Sequence, residues 1–194
     1  MQVIFILSNP AVPENIGLAL RAMKTMGFAE MRLINPPNNY EVDCRKTAYG
    51  SHDLLESTKA FNSLAEAISD IGLVVGTTAK NRLGHHSYHS PKELSSILAS
   101  KIEVARKIGI VFGSEQNGLS KEEINQCDLL STIPLATTHP SLNLAQSVML
   151  YTYELSEFSN TQEVESNSNE PKDEQMKMKS KAIAVLDELD LPRQ

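Results

Sequence analysis

The chain has 194 residues, of which 41% are apolar and 22% are charged, and its formal net charge is −6 at pH 7. This size and balance predict one soluble domain with a full hydrophobic core, and they exclude collagen-like or other fibrous sequence. No apolar run approaches the roughly 20 residues that a membrane-spanning helix needs, and the negative charge excludes a protein that holds nucleic acid by overall electrostatic attraction alone.

Short aliphatic runs alternate with amphipathic stretches along the first half of the chain. Residues 3–7 predict a strand, residues 14–26 a helix and residues 31–34 a second strand. Ser63 stands three residues before a glutamate, which is the spacing of a helix start, and a buried strand is predicted at residues 71–76.

The second half of the chain continues this alternation. Ser90 and Ser120 each have the capping-box spacing to a glutamate three residues later, so each predicts a helix start. Strands are predicted at residues 108–112 and 129–133. The alternation predicts an α/β fold, with a mostly parallel sheet flanked by helices.

The last predicted elements set the expected domain boundary. Residues 142–158 predict a long helix whose apolar stripe includes Met149. The polar segment that follows predicts a linker, with a short helix at residues 177–189. We therefore expect one domain over residues 1–158 and a polar linker with a helical tail over residues 159–194.

The cysteines and the first residues indicate a cellular location. Cys44 and Cys127 are far apart and lack metal-ligand spacing, so neither a disulfide framework nor a zinc site is expected. The first residues lack the basic flank and long apolar stretch of a secretory signal. The expected location is the cytoplasm.

Three basic pairs could form a local patch for an anionic ligand despite the negative net charge. They are Arg21 with Lys24, Arg45 with Lys46, and Lys80 with Arg82. The alternative interpretation is that these cations are ordinary solvated surface charges.

The first segment with a chemical signature opens the helix at residues 14–26. It reads N-x-G-x-x-x-R from Asn15 through Gly17 to Arg21. Gly17 and Arg21 are four residues apart and share a helical face, while Asn15 lies on the opening turn near unpaired N–H groups. Alone this signal is weak, because helical arginines are usually solvated.

The second segment, residues 113–119, reads G-x-E-x-x-G-L and leaves the strand at residues 108–112. Gly113 and Gly118 would let backbone amides approach a ligand closely, and Glu115 would lie in the cleft at the strand's carboxyl end. The pattern matches neither a dinucleotide fingerprint nor a P-loop. The alternative interpretation is a structural turn.

The third segment follows the strand predicted at residues 129–133. Ile133 and Leu135 flank a proline, and a loop then leads to Ser141 and Asn143 at the start of the last long helix. This Ser/Asn pair could be only an N-cap. The carboxyl ends of parallel strands are, however, where open α/β sheets bind ligands.

Taken together, the three segments resemble the SpoU/TrmH-type branch of the SPOUT methyltransferases in order and spacing, over about residues 1–158. Within that branch, residues 21–27 and 76–79 are most similar to the bacterial TrmJ-like enzymes, which methylate a pyrimidine ribose in the tRNA anticodon loop. Ser114 and Gln116 depart from those relatives, which often carry charged residues there. This departure leaves the exact RNA target open.

The resemblance implies a cofactor, a fold detail and an assembly. S-adenosylmethionine would be cradled in a bent shape by loop residues, and no metal is expected, because the driving force lies in the cofactor's sulfonium. The implied cofactor contacts are Thr77, Thr78, Ala79, Gly113, Gly118, Ile133, Leu135, Ser141 and Leu142. A trefoil knot would involve residues 113–155, and a homodimer would assemble each RNA site from both chains.

The resemblance also places Arg21 beside the ribose hydroxyl. Because a guanidinium normally stays protonated, we expect Arg21 to fix a phosphate and stabilise developing alkoxide charge, with proton abstraction the less favoured role. Asn15, Glu115, Ser141 and Asn143 would hold Arg21, the loops and the substrate in register.

The function predicted from these features is 2′-O-methylation of tRNA. Two alternatives keep the fold: methylation of rRNA, and an RNA-binding module that has lost catalysis. A flavodoxin-like binding domain fits the strand and helix alternation but explains none of the three segments.

Overall fold

The computed structural model describes residues 1–79, 87–101, 105–136 and 142–159. Residues 1–159 belong to one compact unit. The tail and its helix predicted at residues 177–189 lie outside the described residues, so the expected domain boundary stays a prediction.

The described residues form a sheet of seven strands in the order β3-β2-β1-β6-β4-β7-β5. The strands are β1 (Gln2–Ser8), β2 (Met31–Ile34), β3 (Lys59–Phe61), β4 (Leu73–Thr77), β5 (Tyr88–His89), β6 (Lys107–Phe112) and β7 (Leu129–Ser131). Every neighbouring pair in this sheet is parallel; β1, for example, aligns Phe5 with Met31 on one side and with Ile110 on the other. The predicted α/β class is confirmed.

Helices connect the strands. They are α1 (Pro13–Thr25), α2 (Tyr40–Thr47), α3 (His52–Ser57), α4 (Leu64–Ala67), α5 (Pro91–Ser100), α6 (Lys121–Ile124) and α7 (Leu144–Glu154), with a 3₁₀ turn at Ser156–Phe158. The helix starts predicted at Ser90 and Ser120 are confirmed, since both serines form complete capping boxes. Each box satisfies backbone N–H groups that a helix start leaves unpaired.

The core lies on both faces of the sheet. In β1, Phe5 belongs to the larger cluster, with α1 and α7, whereas Ile6 belongs to the smaller cluster, with α4 and α6. Phe112 stacks on Phe5 at 6.2 Å between ring centroids and meets Tyr151 of α7 edge-on at 5.3 Å. Because both faces are covered, the central strands β1 and β6 are apolar between their end residues.

Several details differ from the sequence-based expectations. Helices α2 and α3 and the short edge strands β3 and β5 carry too little periodic apolar pattern to have been predicted. Met149 was expected on the buried stripe of the last helix but is 37% exposed. Tyr151, which is 1% exposed, is among the buried residues of that stripe instead.

Two further expectations concern threading and membranes. The trefoil knot stays a prediction, since residues 137–141 of the segment that would form it lie outside the described residues. Among the helices that are described, none combines the length and apolar character needed to cross a bilayer.

Candidate active site

A cleft lies at the carboxyl edge of the sheet, where β4, β6 and β7 end beside the start of α7. It contains about 890 Å³ of space that no atom fills, part of it open to solvent. Its lining is Thr77, Thr78, Ala79, Phe112, Gly113, Ser114, Glu115, Gln116, Asn117, Gly118, Leu119, Ile133, Leu135, Leu142, Leu144, Ser147 and Tyr151. The sheet therefore brings three distant parts of the sequence to one place.

Most of the residues predicted to contact a cofactor line this cleft. They are Thr77, Thr78, Ala79, Gly113, Gly118, Ile133, Leu135 and Leu142. Glu115 also lines it, whereas Asn15 and Asn143 adjoin it through hydrogen bonds, and Arg21 is not part of the lining. Ser141 lies outside the described residues.

The turn at residues 113–118 closes on itself tightly. The Gly118 N–H donates to the Ser114 carbonyl at 2.9 Å, and the Asn117 N–H donates to the Ser114 hydroxyl at 3.3 Å. A Cβ on Gly113 would lie 2.0 Å from the carbonyl carbon of Gly118. The turn's own backbone therefore leaves no room for a side chain at Gly113.

Gly118, the second glycine of the turn, lies in more open surroundings. Its φ is +67°, a conformation that favours glycine, and a Cβ built on it would meet nothing within 4 Å. Since Gly118 also lines the cleft, its backbone is open to a ligand there.

A chain of side-chain hydrogen bonds ties α1 and α7 to this turn. Asn143 donates from Nδ2 to Oδ1 of Asn15 at 2.8 Å, and Asn15 donates from Nδ2 to Oε1 of Glu115 at 2.8 Å. The direction of the chain is fixed, because Oδ1 of Asn143 already accepts the Ala145 N–H at 2.8 Å as the helix cap. A carboxylate, which only accepts, is the required end of this chain.

Glu115 accepts two further hydrogen bonds from the loop before α1. The N–H groups of Ala11 and Val12 donate to its two carboxylate oxygens at 2.8 Å and 3.3 Å. Partial burial by itself raises the pKa of Glu115, but the hydrogen bond from Asn15 and those from backbone N–H groups outweigh it, and the net pKa lies below the usual value of 4.5. Glu115 is therefore held ionised, and its geometry is that of a positioning residue.

Tyr151 lines the cleft, and the sequence analysis did not predict it as a site residue. Its hydroxyl donates to Oγ of Ser131 at 2.8 Å, and that serine donates to the His89 carbonyl at 2.7 Å. Burial raises the pKa of Tyr151, so it stays a neutral donor. A buried tyrosine needs such a partner, and this chain fixes α7 against β7 and β5. The spacing of Tyr151 from Val148, three residues apart on α7, could have indicated that it is buried.

Arg21 is exposed on α1 and forms no ion pair among the described residues. The other described members of the predicted basic pairs are partnered: Lys24 binds Asp53 at 2.5 Å, Arg45 binds Glu56 at 3.0 Å and Lys46 binds Asp43 at 3.6 Å. Lys80 and Arg82 lie outside the described residues. No extended basic patch results from these pairs, but Arg21 keeps an uncompensated positive charge.

The cleft is chemically suited to a nucleoside with an apolar wall on one side. Ile133, Leu135 and Leu142 supply aliphatic surface, while the Thr77 side chain and the open backbone at Gly118 supply polar groups. Uncharged surface of this kind can hold an adenine or ribose by contact and backbone hydrogen bonds. Within the described ranges, no group of three His, Cys, Asp or Glu side chains could hold a metal ion.

Comparison with known proteins agrees with this geometry. The family model of the SpoU rRNA Methylase family matches residues 2–153. A relative from Escherichia coli named uncharacterized tRNA/rRNA methyltransferase LasT is 42% identical over 155 residues, covering 80% of this chain and 68% of the relative. The tRNA (cytidine/uridine/adenosine-2′-O-)-methyltransferase TrmJ of Pseudomonas aeruginosa is 35% identical, covering 77% of this chain and 58% of its own length.

A solved structure shares the fold as well. The crystal structure of a probable methyltransferase from Bordetella pertussis superposes with a TM-score of 0.75 at 31% identity, covering 80% of this chain and 95% of that one. With a family match over most of the chain and a relative at 42% identity, the chain belongs to the SpoU rRNA Methylase family.

Proposed function

We propose that this protein transfers a methyl group from S-adenosylmethionine to a ribose 2′-hydroxyl of tRNA, at a pyrimidine nucleoside of the anticodon loop. The observation that carries the proposal is the convergence of three separated sequence segments on one cleft at the carboxyl edge of the sheet. The TrmJ relative's name supports ribose methylation of tRNA as the reaction.

In this proposal the cleft holds the cofactor. Thr77, Thr78 and Ala79 after β4, Gly113 and Gly118 of the turn, and Ile133, Leu135 and Leu142 beside α7 are its proposed contacts. Ser141 keeps the role implied by the family resemblance. When bound, the cofactor supplies an activated methyl group, so the protein's task is to position the hydroxyl and stabilise the charge that develops on its oxygen.

Arg21 is the proposed stabiliser of that charge, and in this proposal a second chain brings it to the cleft. It lies outside the cleft of its own chain, six residues beyond Asn15 and so about 9 Å further along the helix. On the same helix Leu18 is 41% exposed, and on α7, which packs against α1, Leu150 and Tyr153 are 40% and 62% exposed. This apolar surface supports a homodimer that brings Arg21 of one chain to the cleft of the other.

The remaining side chains have positioning roles in the proposal. Glu115, Asn15 and Asn143 lock the start of α1 to the cleft, which fixes the helix that carries Arg21.

Cys44 and Cys127 are free thiols, which fits the reducing cytoplasm as the proposed place of action.

The test measures binding and methyl transfer separately. Calorimetry with S-adenosylmethionine should give micromolar-range affinity, and transfer of a labelled methyl group to tRNA should yield 2′-O-methylpyrimidine nucleosides on digestion. Arg21→Ala should lower methyl transfer by about 100-fold or more, with cofactor affinity within a few-fold, because a group that stabilises transition-state charge is removed.

Arg106→Ala is the matched control, since Arg106 is an exposed arginine at the opposite, amino edge of the sheet. It should leave methyl transfer unchanged. Labelling of rRNA in place of tRNA would favour the rRNA alternative. Cofactor binding without transfer to either RNA would favour the module without catalysis, and an active stable monomer in sedimentation would contradict the shared site.

A further inference from the structure

One face of α1 is aligned along the turn between α2 and α3. Gly17, Arg21 and Lys24 are spaced i, i+4 and i+7, so they form a single stripe on this helix. At one end of the stripe a Cβ on Gly17 would lie 3.0 Å from the Ala48 N atom, and at the other end Lys24 binds Asp53 at 2.5 Å. Arg21, between the two, therefore lies beside the turn that joins Ala48 to Asp53.

Hydrogen bonds stabilise that turn, and it carries one exposed aromatic side chain. Ser51 is fully buried, and both its N–H and its hydroxyl donate to the Ala48 carbonyl, at 2.9 Å and 3.0 Å. Gly50 adopts a φ of +75° to complete the turn. Tyr49 between them is 75% exposed, and it has no hydrogen bond or ring contact within the part of the chain that the structure describes.

Among the described lysines and arginines of α1, α2 and α3, Arg21 is the one that forms no ion pair. The carboxylates of α3, Asp53 and Glu56, are already paired with Lys24 and Arg45. An exposed ring beside an uncompensated guanidinium matches a single-stranded nucleic acid, in which a base stacks on the ring while a phosphate binds the guanidinium.

We infer that Tyr49 is a stacking platform for a base of the RNA substrate, adjacent to the nucleotide whose ribose reaches Arg21. This inference rests on the proposed function and deepens it, because it names a residue that determines substrate affinity. Tyr49 contributes to binding of the RNA and takes no part in the methyl transfer itself. A second copy of the chain covering the ring is the competing occupant, and the experiment separates the two.

The experiment uses the full chain with tRNA and S-adenosylmethionine. Tyr49→Ala should raise both the KM for tRNA and the Kd for tRNA in fluorescence anisotropy by about 5- to 100-fold, the range for loss of one base–aromatic stack. Its kcat should stay within about two-fold, as expected for an interaction made equally in the ground and transition states. Tyr49→Phe, which keeps the ring, should bind tRNA within about two-fold of the wild type.

Val42→Ala is the matched control, because Val42 is another exposed apolar side chain, 65% accessible, on the neighbouring helix α2. Its tRNA affinity should be unchanged. The inference is overturned if Tyr49→Ala binds tRNA as well as the wild type, if Tyr49→Phe loses as much as Tyr49→Ala, or if Tyr49→Ala changes the sedimentation of the free protein. If the wild type binds tRNA without methylating it, the proposed function fails. The tRNA affinities of the variants in fluorescence anisotropy then still test whether a base stacks on Tyr49.

Discussion

Replacing the carboxylate of Glu115 by an amide is the sharpest test of how the candidate site is held together. In Glu115→Gln, one carbonyl oxygen can still accept the Ala11 N–H, but an NH₂ group then faces the Asn15 amide, which is itself a donor there. Asn15 cannot turn over to relieve the clash, because its Oδ1 accepts from Asn143. Turning the new amide over would restore an acceptor for Asn15 but would place the NH₂ group against the Ala11 N–H, so either orientation loses at least one hydrogen bond.

The magnitude follows from the hydrogen bonds involved. A hydrogen bond to a charged group contributes about 1.5–3 kcal/mol, and a neutral one about 1 kcal/mol. In either orientation of the amide one charge-assisted bond, at Asn15 or at Ala11, is lost and the other becomes neutral, while water can replace the longer, exposed bond from Val12 at 3.3 Å. We expect a loss of about 2 kcal/mol in the free energy of unfolding, or about 4–8 °C in Tm for a domain of this size.

The same substitution should change the pH dependence of stability. The folded-state pKa of Glu115 lies below its usual value of 4.5, so its stabilising effect is present above that value and is lost as the pH falls through the folded-state pKa. Urea unfolding of Glu115→Gln should therefore differ most from the wild type near neutral pH and converge with it in acid.

Glu41→Gln provides the comparison, since it makes the same chemical change on an exposed side chain of α2. Surface changes of this kind stay within about 0.5 kcal/mol. If Glu115→Gln unfolds at the same urea concentration as Glu41→Gln, or if its loss of stability persists unchanged in acid, the hydrogen-bond chain does not hold α1 and α7 together as described.

Two further substitutions test the turn and the opposite edge of the sheet. Gly113→Ala places a Cβ 2.0 Å from a backbone atom, so the urea midpoint of unfolding and the affinity for S-adenosylmethionine in calorimetry should both fall. Gly72→Ala, whose Cβ would lie 3.7 Å from its nearest neighbour, should change neither. Equal behaviour of the two variants would refute the reasoning. Asp70 binds the buried Arg32 at 2.5 Å, and this hydrogen bond, followed by that of a nearby lysine, holds the pKa of Asp70 well below its usual 3.8. The ionised Asp70 stabilises the fold above pH 3.8, and this stabilisation is lost as the pH falls through the lower folded-state pKa. After a discount for solvent screening, Asp70→Asn should lower the free energy of unfolding by about 1–2 kcal/mol at neutral pH. The variant should also lose less stability in acid than the wild type when both are unfolded in urea. Asp43→Asn, which breaks an exposed pair, should have little effect, and an equal effect would contradict the role given to Asp70.

Local sequence rules were sufficient for most of the framework. Apolar runs such as those of β1 and β6 predict buried strands, and Ser90 and Ser120 define helix starts, because strand burial and capping depend on residues close together in the chain. The order and spacing of the three segments were also enough to recognise the family, which the comparisons confirm.

The short elements and the site's internal bonding depended on contacts distant in sequence. Strand β3 exists because it pairs with β2, and nothing in its three residues specifies that register. The bond from Asn143 to Asn15 spans 128 residues, so no local pattern distinguishes Asn143 as a tie between helices from Asn143 as a simple cap.

The sequence by itself determined the alternation of strands and helices and the helix starts, since each depends on residue type and on neighbours along the chain. Only the tertiary structure decided that Gly113 serves its own turn, that Glu115 ends a hydrogen-bond chain, and that Arg21 lies outside the cleft of its own chain. These outcomes depend on which backbones meet in space, and steric exclusion and hydrogen-bond direction act only once those backbones are in contact.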